Sequence, residues 1–236
     1  MSEMEQLTMD ELKKIVKNNP DKTWWSKIAR CQVLSEDFMR EFSDKLDCGL
    51  LSLFQTLSED LIEKFQYRAA YPPEYWSIVS MYQKLSENFI RKYKNKVNWK
   101  AISEHQTLSE DFIREFQDKV DWTRISMYQK LSENFIRELQ DKVNWIAISE
   151  HQTLSEDFIR EFQGQVYWKN ISRYQTLSEN FIREFKDKVY WFYISKYQTV
   201  SEEFIKEFQD EIIDYGHIFL TKVVPIILKE LNENKI

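Results

Sequence analysis

The sequence predicts an all-α solenoid, a right-handed stack of two-helix repeats with a capping helix at each end. The first observation is a Leu-Ser step that returns every 23 residues, with one gap of 28 between the second and third copies. Periods of roughly 20–50 residues are typical of repeat arrays. The second is the scarcity of helix breakers, since 236 residues include only 3 Gly and 4 Pro. The copies begin at Leu34, Leu57, Leu85, Leu108, Leu131, Leu154, Leu177 and Val200.

Residues 1–23 are predicted to form the N-terminal capping helix. Thr8 and Glu11 fit a capping box, in which each side chain accepts a hydrogen bond from the backbone N–H of the other residue. Pro20 disfavours helix at the residue before it, so this helix should end near Asn18. A polar cap of this kind shields the first repeat from water.

Residues 24–213 are predicted to form eight repeats. Each begins with a shorter helix, here called the Trp helix; in 122–129, Trp122, Ile125 and Ser126 share one face. A longer helix follows, here called the Ser helix; in 108–120, Ser109 fits the N-cap position. The charged residues on the far side of the Ser helix are expected to be solvated and to contribute little stability.

Three departures from the repeat are visible. Five extra residues and the pair Pro72-Pro73 predict a protruding loop near 67–75. Cys48 replaces Trp at the start of the second Trp helix. After Val200, one helix is expected to continue until it stops or bends near Gly216, and residues 214–236 are predicted to form the C-terminal capping helix.

A glutamine ends every Trp helix. A row of amides could contact a ligand, or each amide could satisfy the unpaired carbonyl groups of a helix end or a neighbouring turn. We favour the second interpretation because it needs no ligand. The glutamines are Gln32, Gln55, Gln83, Gln106, Gln129, Gln152, Gln175 and Gln198.

The composition argues against an enzyme. No Gly-rich phosphate loop, CxxC pair or HExxH motif is present, so we predict no catalytic residue and no cofactor. His105 and His151 lie two repeats apart, too far to share a metal ion. No apolar run fits a signal peptide or the roughly 20 residues of a membrane span. Cys31 and Cys48 occupy core-type positions without a disulfide framework, which predicts a reducing, cytoplasmic location.

The variable residues lie on the Trp helices. The two positions after each Trp and the one after Ser change freely, and helical spacing predicts that they face outward, forming what we call the Trp-helix surface. Solenoids bind extended partners along such surfaces, although neutral drift would give the same variability. Adjacent aromatic residues at 192 and 193 favour contact with a partner. The candidate partner-binding residues are Lys100, Arg124, Met127, Ile146, Lys169, Arg173, Phe192, Tyr193 and Lys196.

Two functions remain open on these residues, and the oligomeric state is not indicated. The first is a non-enzymatic scaffold that binds a protein. The second is a repeat protein that binds single-stranded nucleic acid, since a row of basic residues along the Trp helices has Phe192 and Tyr193 beside it. The net charge of −6, with Glu104 and Glu150 in the same row, makes nucleic acid the less favoured partner.

The units LSEDFIREFQDKVDW and ISRYQTLSENFIREFKDKVYW resemble short helical repeats found in tandem in proteins of phages and large DNA viruses. The resemblance covers about Trp25 to Ile213, and the second repeat departs from it at Cys48 and Leu61. It implies a viral or virus-derived chain, and hence a host or viral protein as partner, but no activity or functional residue to carry over.

Overall fold

The computed structural model describes residues 6–18, 21–67 and 74–213. All regular secondary structure within these ranges is helical, which confirms the all-α class. The chain divides into two compact units, Met1–Asp121 and Trp122–Ile236. The handedness of the stack stays a prediction, and the predicted C-terminal helix and most of the predicted loop near 67–75 lie outside the described residues.

Each repeat contributes one Trp helix and one Ser helix. The first unit contains α1 Met9–Asn18, α2 Lys22–Cys31, α3 Glu36–Glu41, α4 Cys48–Phe54, α5 Glu59–Phe65, α6 Tyr75–Tyr82, α7 Glu87–Lys92, α8 Trp99–His105 and α9 Glu110–Glu115. The second contains α10 Trp122–Tyr128, α11 Glu133–Glu138, α12 Trp145–His151, α13 Glu156–Glu161, α14 Trp168–Tyr174, α15 Glu179–Glu184, α16 Trp191–Tyr197, α17 Glu202–Glu207 and α18 Gln209–Ile213.

Successive Trp helices pack directly against each other. In the first unit, α2 lies on α4, α4 on α6 and α6 on α8. In the second, α10 lies on α12, α12 on α14 and α14 on α16, and α18 contacts both α16 and α17. Each unit is therefore a helical repeat array in which a repeat contacts its sequence neighbours.

The Ser helix is shorter than predicted. In the repeat expected to be helical over 108–120, the helix ends at Glu115, and Phe116 leaves the helical region with φ −113° and ψ 27°. A separate turn follows, closed by the N–H of Val120 donating to the carbonyl of Phe116 at 3.1 Å. This break keeps both Phe116 and Val120 buried. The same break at Phe208, with φ −114° and ψ 31°, separates α17 from α18, so the single helix predicted up to Gly216 is also wrong.

The N-terminal capping box is confirmed. The N–H of Thr8 donates to Glu11 Oε2 at 2.8 Å, and the N–H of Glu11 donates to Thr8 Oγ1 at 3.3 Å. The helix ends at Asn18, as Pro20 predicts. Both cysteines are free thiols, but only Cys48 is buried. The core position predicted for Cys31 is therefore wrong, because that residue lies on the exposed side of α2.

Aromatic residues fill the space between the two helices of a repeat. Trp145 lies 6.2 Å from Phe158 and 5.0 Å from Phe162, measured between ring centroids. Its indole N–H donates to the carbonyl of Gln140 at 3.1 Å, across the turn that precedes α12. Trp145 is only half-buried, whereas Phe158 is fully buried. The tryptophan therefore covers the core and closes the preceding turn at the same time.

The glutamine that ends each Trp helix joins its repeat to the one before. Gln152 Oε1 accepts from the N–H of Leu131 at 3.0 Å, and Gln152 Nε2 donates to the carbonyls of Ser126 and Gln129 at 2.9 and 2.8 Å. The interpretation that the amides satisfy backbone groups is thus confirmed. The same three bonds are made by Gln55, Gln83, Gln106, Gln175 and Gln198.

The serine of the Trp helix makes a second connection. Ser149 Oγ donates to the carbonyl of Trp145 at 2.7 Å and accepts from the N–H of Tyr167 at 2.9 Å. Since Tyr167 precedes the next Trp helix, the hydroxyl links two neighbouring helices as well as allowing their close approach. Close approach requires only a small side chain, and the two hydrogen bonds explain why it is serine.

The charged face of the Ser helix is accessible to solvent, as predicted, and it also links repeats. Arg160 Nε donates to Glu184 Oε2 of the next repeat at 2.8 Å. The same guanidinium lies 5.1 Å from the ring centroid of Phe181. The arginine therefore covers the neighbouring core while it pairs with a carboxylate.

Candidate functional site

The position directly after Trp faces outward, as predicted. Lys100 in the first unit and Lys169 in the second are exposed. So are Ile146 and Phe192, with 55% and 37% of their surface accessible. These residues lie on the side of the Trp helix opposite the buried Ile and Ser positions, because a helical turn holds 3.6 residues.

The next position does not face outward, and the prediction is wrong there. Ala101, Ala147 and Asn170 are buried, because this position points at the preceding Trp helix in the stack. Asn170 Nδ2 donates to the carbonyl of Ile146 at 3.2 Å and to Glu150 Oε2 at 3.1 Å. The variability at this position reflects contacts between repeats as much as contacts with a partner.

The two candidate residues at that same position are half-buried. These are Arg124 and Tyr193, both in the second unit. At the position after Ser, Met127 is half-buried, and Arg173 and Lys196 are exposed. The structure thus leaves six of the nine candidates exposed and available to a partner.

The candidates of the last two Trp helices meet around one guanidinium. Arg173 Cζ of α14 lies 4.8 Å from the ring centroid of Tyr174 and 5.6 Å from those of Tyr193 and Tyr197 in α16. The Tyr193 and Tyr197 rings stack with centroids 6.0 Å apart and planes inclined by 21°. Lys196 Nζ lies 5.7 Å from the centroid of Phe192. The predicted residues of two helices therefore lie together with Tyr174 and Tyr197, two tyrosines that were not among the predicted binding residues because tyrosine is common at this position of the repeat.

Two further tyrosines on this side were not predicted. Tyr167 and Tyr190 occupy the N-cap positions of α14 and α16 and make no side-chain capping bond. The corresponding Asn144 of α12 accepts from the N–H of Ala147 at 3.0 Å. Both tyrosine rings are instead exposed, at 42% and 48%. The signal in the sequence is the change from Asp or Asn to Tyr before the last two repeat tryptophans.

Three cations of the last two described Trp helices lack carboxylate partners among the described residues, and two of them lie beside aromatic rings. Among the described residues, no carboxylate lies within ion-pair distance of Lys169, Arg173 or Lys196. By contrast, Arg183 on the opposite face pairs with Glu207 at 2.8 Å. Glu150 acts on the neighbouring Tyr174: burial first, and then this carboxylate, raise the pKa of the Tyr174 hydroxyl. The surface is therefore cationic and aromatic, although the whole chain is acidic.

Each unit also contains one shallow cleft where a Trp helix ends. In the first unit a cleft of about 340 Å³ lies between Tyr82 and His105, and in the second one of about 300 Å³ lies between Tyr128 and His151. Both histidines are exposed, and His105 Nε2 lies 3.8 Å from Glu104 Oε1. Within the described part of the chain, no three His, Cys, Asp or Glu side chains are grouped to hold a metal ion.

None of the described helices is both long enough and apolar enough to cross a membrane. Comparison of the chain with protein-family models, with curated proteins and with solved structures finds no match.

Proposed function

We propose that the protein is a non-enzymatic scaffold that binds a protein partner through the Trp-helix surface. One observation carries the proposal: Lys169, Arg173 and Lys196 are exposed without carboxylate partners among the described residues, whereas the arginines of the Ser helices pair with the next repeat. Unpaired cations beside exposed tyrosines match protein interfaces, which are enriched in Tyr and Arg. The resemblance to viral repeats and the predicted reducing location make a host or viral protein of the cytoplasm the expected partner.

Single-stranded nucleic acid is the second candidate, because arginine and aromatic rings lie together around Arg173. The net charge of −6 and the carboxylate of Glu150 beside Tyr174 oppose a track of phosphates. We expect no binding of RNA or single-stranded DNA tighter than about micromolar at physiological salt. A filter-binding series over salt concentration measures this, and submicromolar affinity with a steep salt dependence would make nucleic acid the partner.

A pull-down with matched charge reversals tests protein binding. The bait is the full chain, and the test variant combines Lys169→Glu with Arg173→Glu on the Trp-helix surface. The control combines Lys94→Glu with Lys186→Glu, which changes the charge equally at exposed turn positions of two repeats. We expect one stoichiometric protein to be recovered by the wild type and the control and lost by the test variant. Recovery by the test variant at the wild-type level would remove the Trp-helix surface from the proposal.

A further inference from the structure

The last two described Trp helices carry a continuous group of rings around the guanidinium of Arg173. We call this group the aromatic patch. It consists of Arg173, Tyr174, Tyr190, Phe192, Tyr193 and Tyr197. Tyr193 lies at its centre, 6.5 Å from Tyr190, 5.2 Å from Phe192 and 6.0 Å from Tyr197 between ring centroids. Arg173 joins this set to Tyr174. The patch lies entirely within the second unit and shares its exposed side with Lys169 and Lys196.

The tyrosines at two N-cap positions expose aromatic rings where a capping residue would stabilise the helix. Tyr167 and Tyr190 give up the capping bond that Asn98 and Asn144 make in earlier repeats. A missing N-cap bond typically destabilises a helix. Tyrosine instead places a half-exposed ring at the starts of two successive Trp helices, and the ring of Tyr190 lies 6.5 Å from that of Tyr193 in the patch. Exposed rings that replace a stabilising residue are accounted for by contact with a partner.

The charges around the patch define the chemistry of that partner. Three cations lie on this face, and the nearby carboxylate of Glu150 already accepts a hydrogen bond from Asn170. Within the described residues, no hydrogen bond uses the N–H groups of Arg173, although its guanidinium lies over three rings. N–H donors of a guanidinium that make no hydrogen bond within the protein are available for a bidentate bond to a carboxylate.

The same geometry disfavours bases as the occupant. A base stacks on the open face of an aromatic ring. Here the guanidinium of Arg173 lies over Tyr174, Tyr193 and Tyr197, and Tyr193 and Tyr197 stack on each other. The N–H donors of Arg173, which make no hydrogen bond among the described residues, suit a carboxylate, and the exposed parts of Tyr174 and Tyr197 suit a neighbouring apolar side chain.

We infer that the aromatic patch binds an acidic peptide segment, with a carboxylate on Arg173, further carboxylates near Lys169 and Lys196, and an aromatic or aliphatic side chain against the tyrosines. This inference rests on the proposed protein-binding function and names the class of partner segment.

Peptide selection tests the inference directly, with random peptides as the probe. Peptides of about twelve residues are displayed and selected against the full chain, and the best one is synthesised with a fluorescent label. We expect the selected peptides to combine Asp or Glu with an aromatic residue or Leu. Loss of a charge-assisted bidentate bond in Arg173→Gln should weaken binding by about tenfold or more.

The double variant Tyr167→Asn with Tyr190→Asn separates binding from folding. Because it restores two N-caps, its denaturation midpoint should rise while its affinity for the peptide falls. The matched control is Tyr128→Ser, which removes an equally exposed tyrosine from the cleft near His151 and should leave affinity unchanged. Labelled oligouridine forms a separate arm, for which we expect no submicromolar binding.

Three outcomes would overturn the inference: selected peptides without acidic residues, equal affinity of the peptide for Arg173→Gln, or tight oligouridine binding that Arg173→Gln abolishes. Failure here can be told apart from failure of the proposed function. If Lys169→Glu with Arg173→Glu loses the partner in the pull-down but the selected peptides are not enriched in acidic residues, the proposed protein binding stands and the acidic segment is refuted. If the charge-reversed bait retains that partner, the Trp-helix surface is excluded both for the proposed function and for this inference.

Discussion

The bridging glutamines make the sharpest prediction about stability. Gln175 is buried and joins the repeat of α14 to that of α12. Its Oε1 accepts from the N–H of Leu154 at 3.0 Å, and its Nε2 donates to the carbonyls of Ser149 and Gln152 at 3.1 and 2.8 Å. Gln175→Leu keeps a side chain of similar size and removes all three hydrogen bonds.

The expected destabilisation is about 3 kcal/mol, taking about 1 kcal/mol for each lost hydrogen bond. The stranded backbone groups of Leu154, Ser149 and Gln152 add to this value, since a buried polar group without a partner is unfavourable by about 1–3 kcal/mol. Burial of the leucine offsets part of it. Gln175→Glu should destabilise further at neutral pH, because a carboxylate would then face two carbonyl oxygens.

Urea denaturation followed by circular dichroism measures the overall effect, and amide hydrogen exchange locates it. The amide of Leu154 should lose protection in Gln175→Leu, because its acceptor is gone. The control is Gln165→Leu, at an exposed turn position whose side chain makes no hydrogen bond among the described residues; it should change stability by less than about 0.5 kcal/mol. If Gln175→Leu behaves like this control and Leu154 stays protected, the amides do not hold the repeats together.

Two further predictions concern the aromatic core and pH. Trp145→Ala should destabilise the second unit by about 3 kcal/mol, since it removes the contacts with Phe158 and Phe162 and the hydrogen bond to Gln140; a wild-type urea midpoint would contradict this. The Ser201 N–H donates to Glu179, which lowers the pKa of that carboxyl, so its stabilisation is present above the unfolded pKa of about 4.3 and is lost as pH falls through the lower folded pKa. Glu179→Gln should therefore lower the midpoint at neutral pH and flatten its acid dependence, as urea titrations from pH 6 to 3 would show.

Much of the fold was predictable because the repeat period, the N-cap serines and the apolar stripes are local properties of the chain. The Thr8–Glu11 capping box and the role of the terminal glutamines followed from the need of helix ends for hydrogen-bond partners. The length of the Ser helix was not predictable in this way. Its apolar stripe continues to Val120, but the chain bends at Phe116 so that both residues reach the core between two neighbouring helices.

The exposed residues of the proposed interaction surface were predictable only in part. Helical spacing correctly placed Lys169 and Arg173 outward, but it also placed the position of Asn170 outward. That position is buried because a neighbouring Trp helix lies against it, which is a property of the stack and not of a single helix. Helical spacing correctly gave Arg160 partners on its own helix, Glu156 and Asp157, but it did not give the salt bridge to Glu184 in the following repeat, which depends on the stack.

The sequence by itself determined the class of fold, the unit of repetition and the ends of the helices that carry caps, since periodicity and capping act within a few residues. Only the tertiary structure decided which side chains join one repeat to the next and which remain open to a partner. It stacks α14 on α16, and this contact brings Arg173 over Tyr193 and Tyr197, residues about twenty positions further along the chain. Contacts at that separation depend on how two helices pack, and no local pattern of residues specifies them.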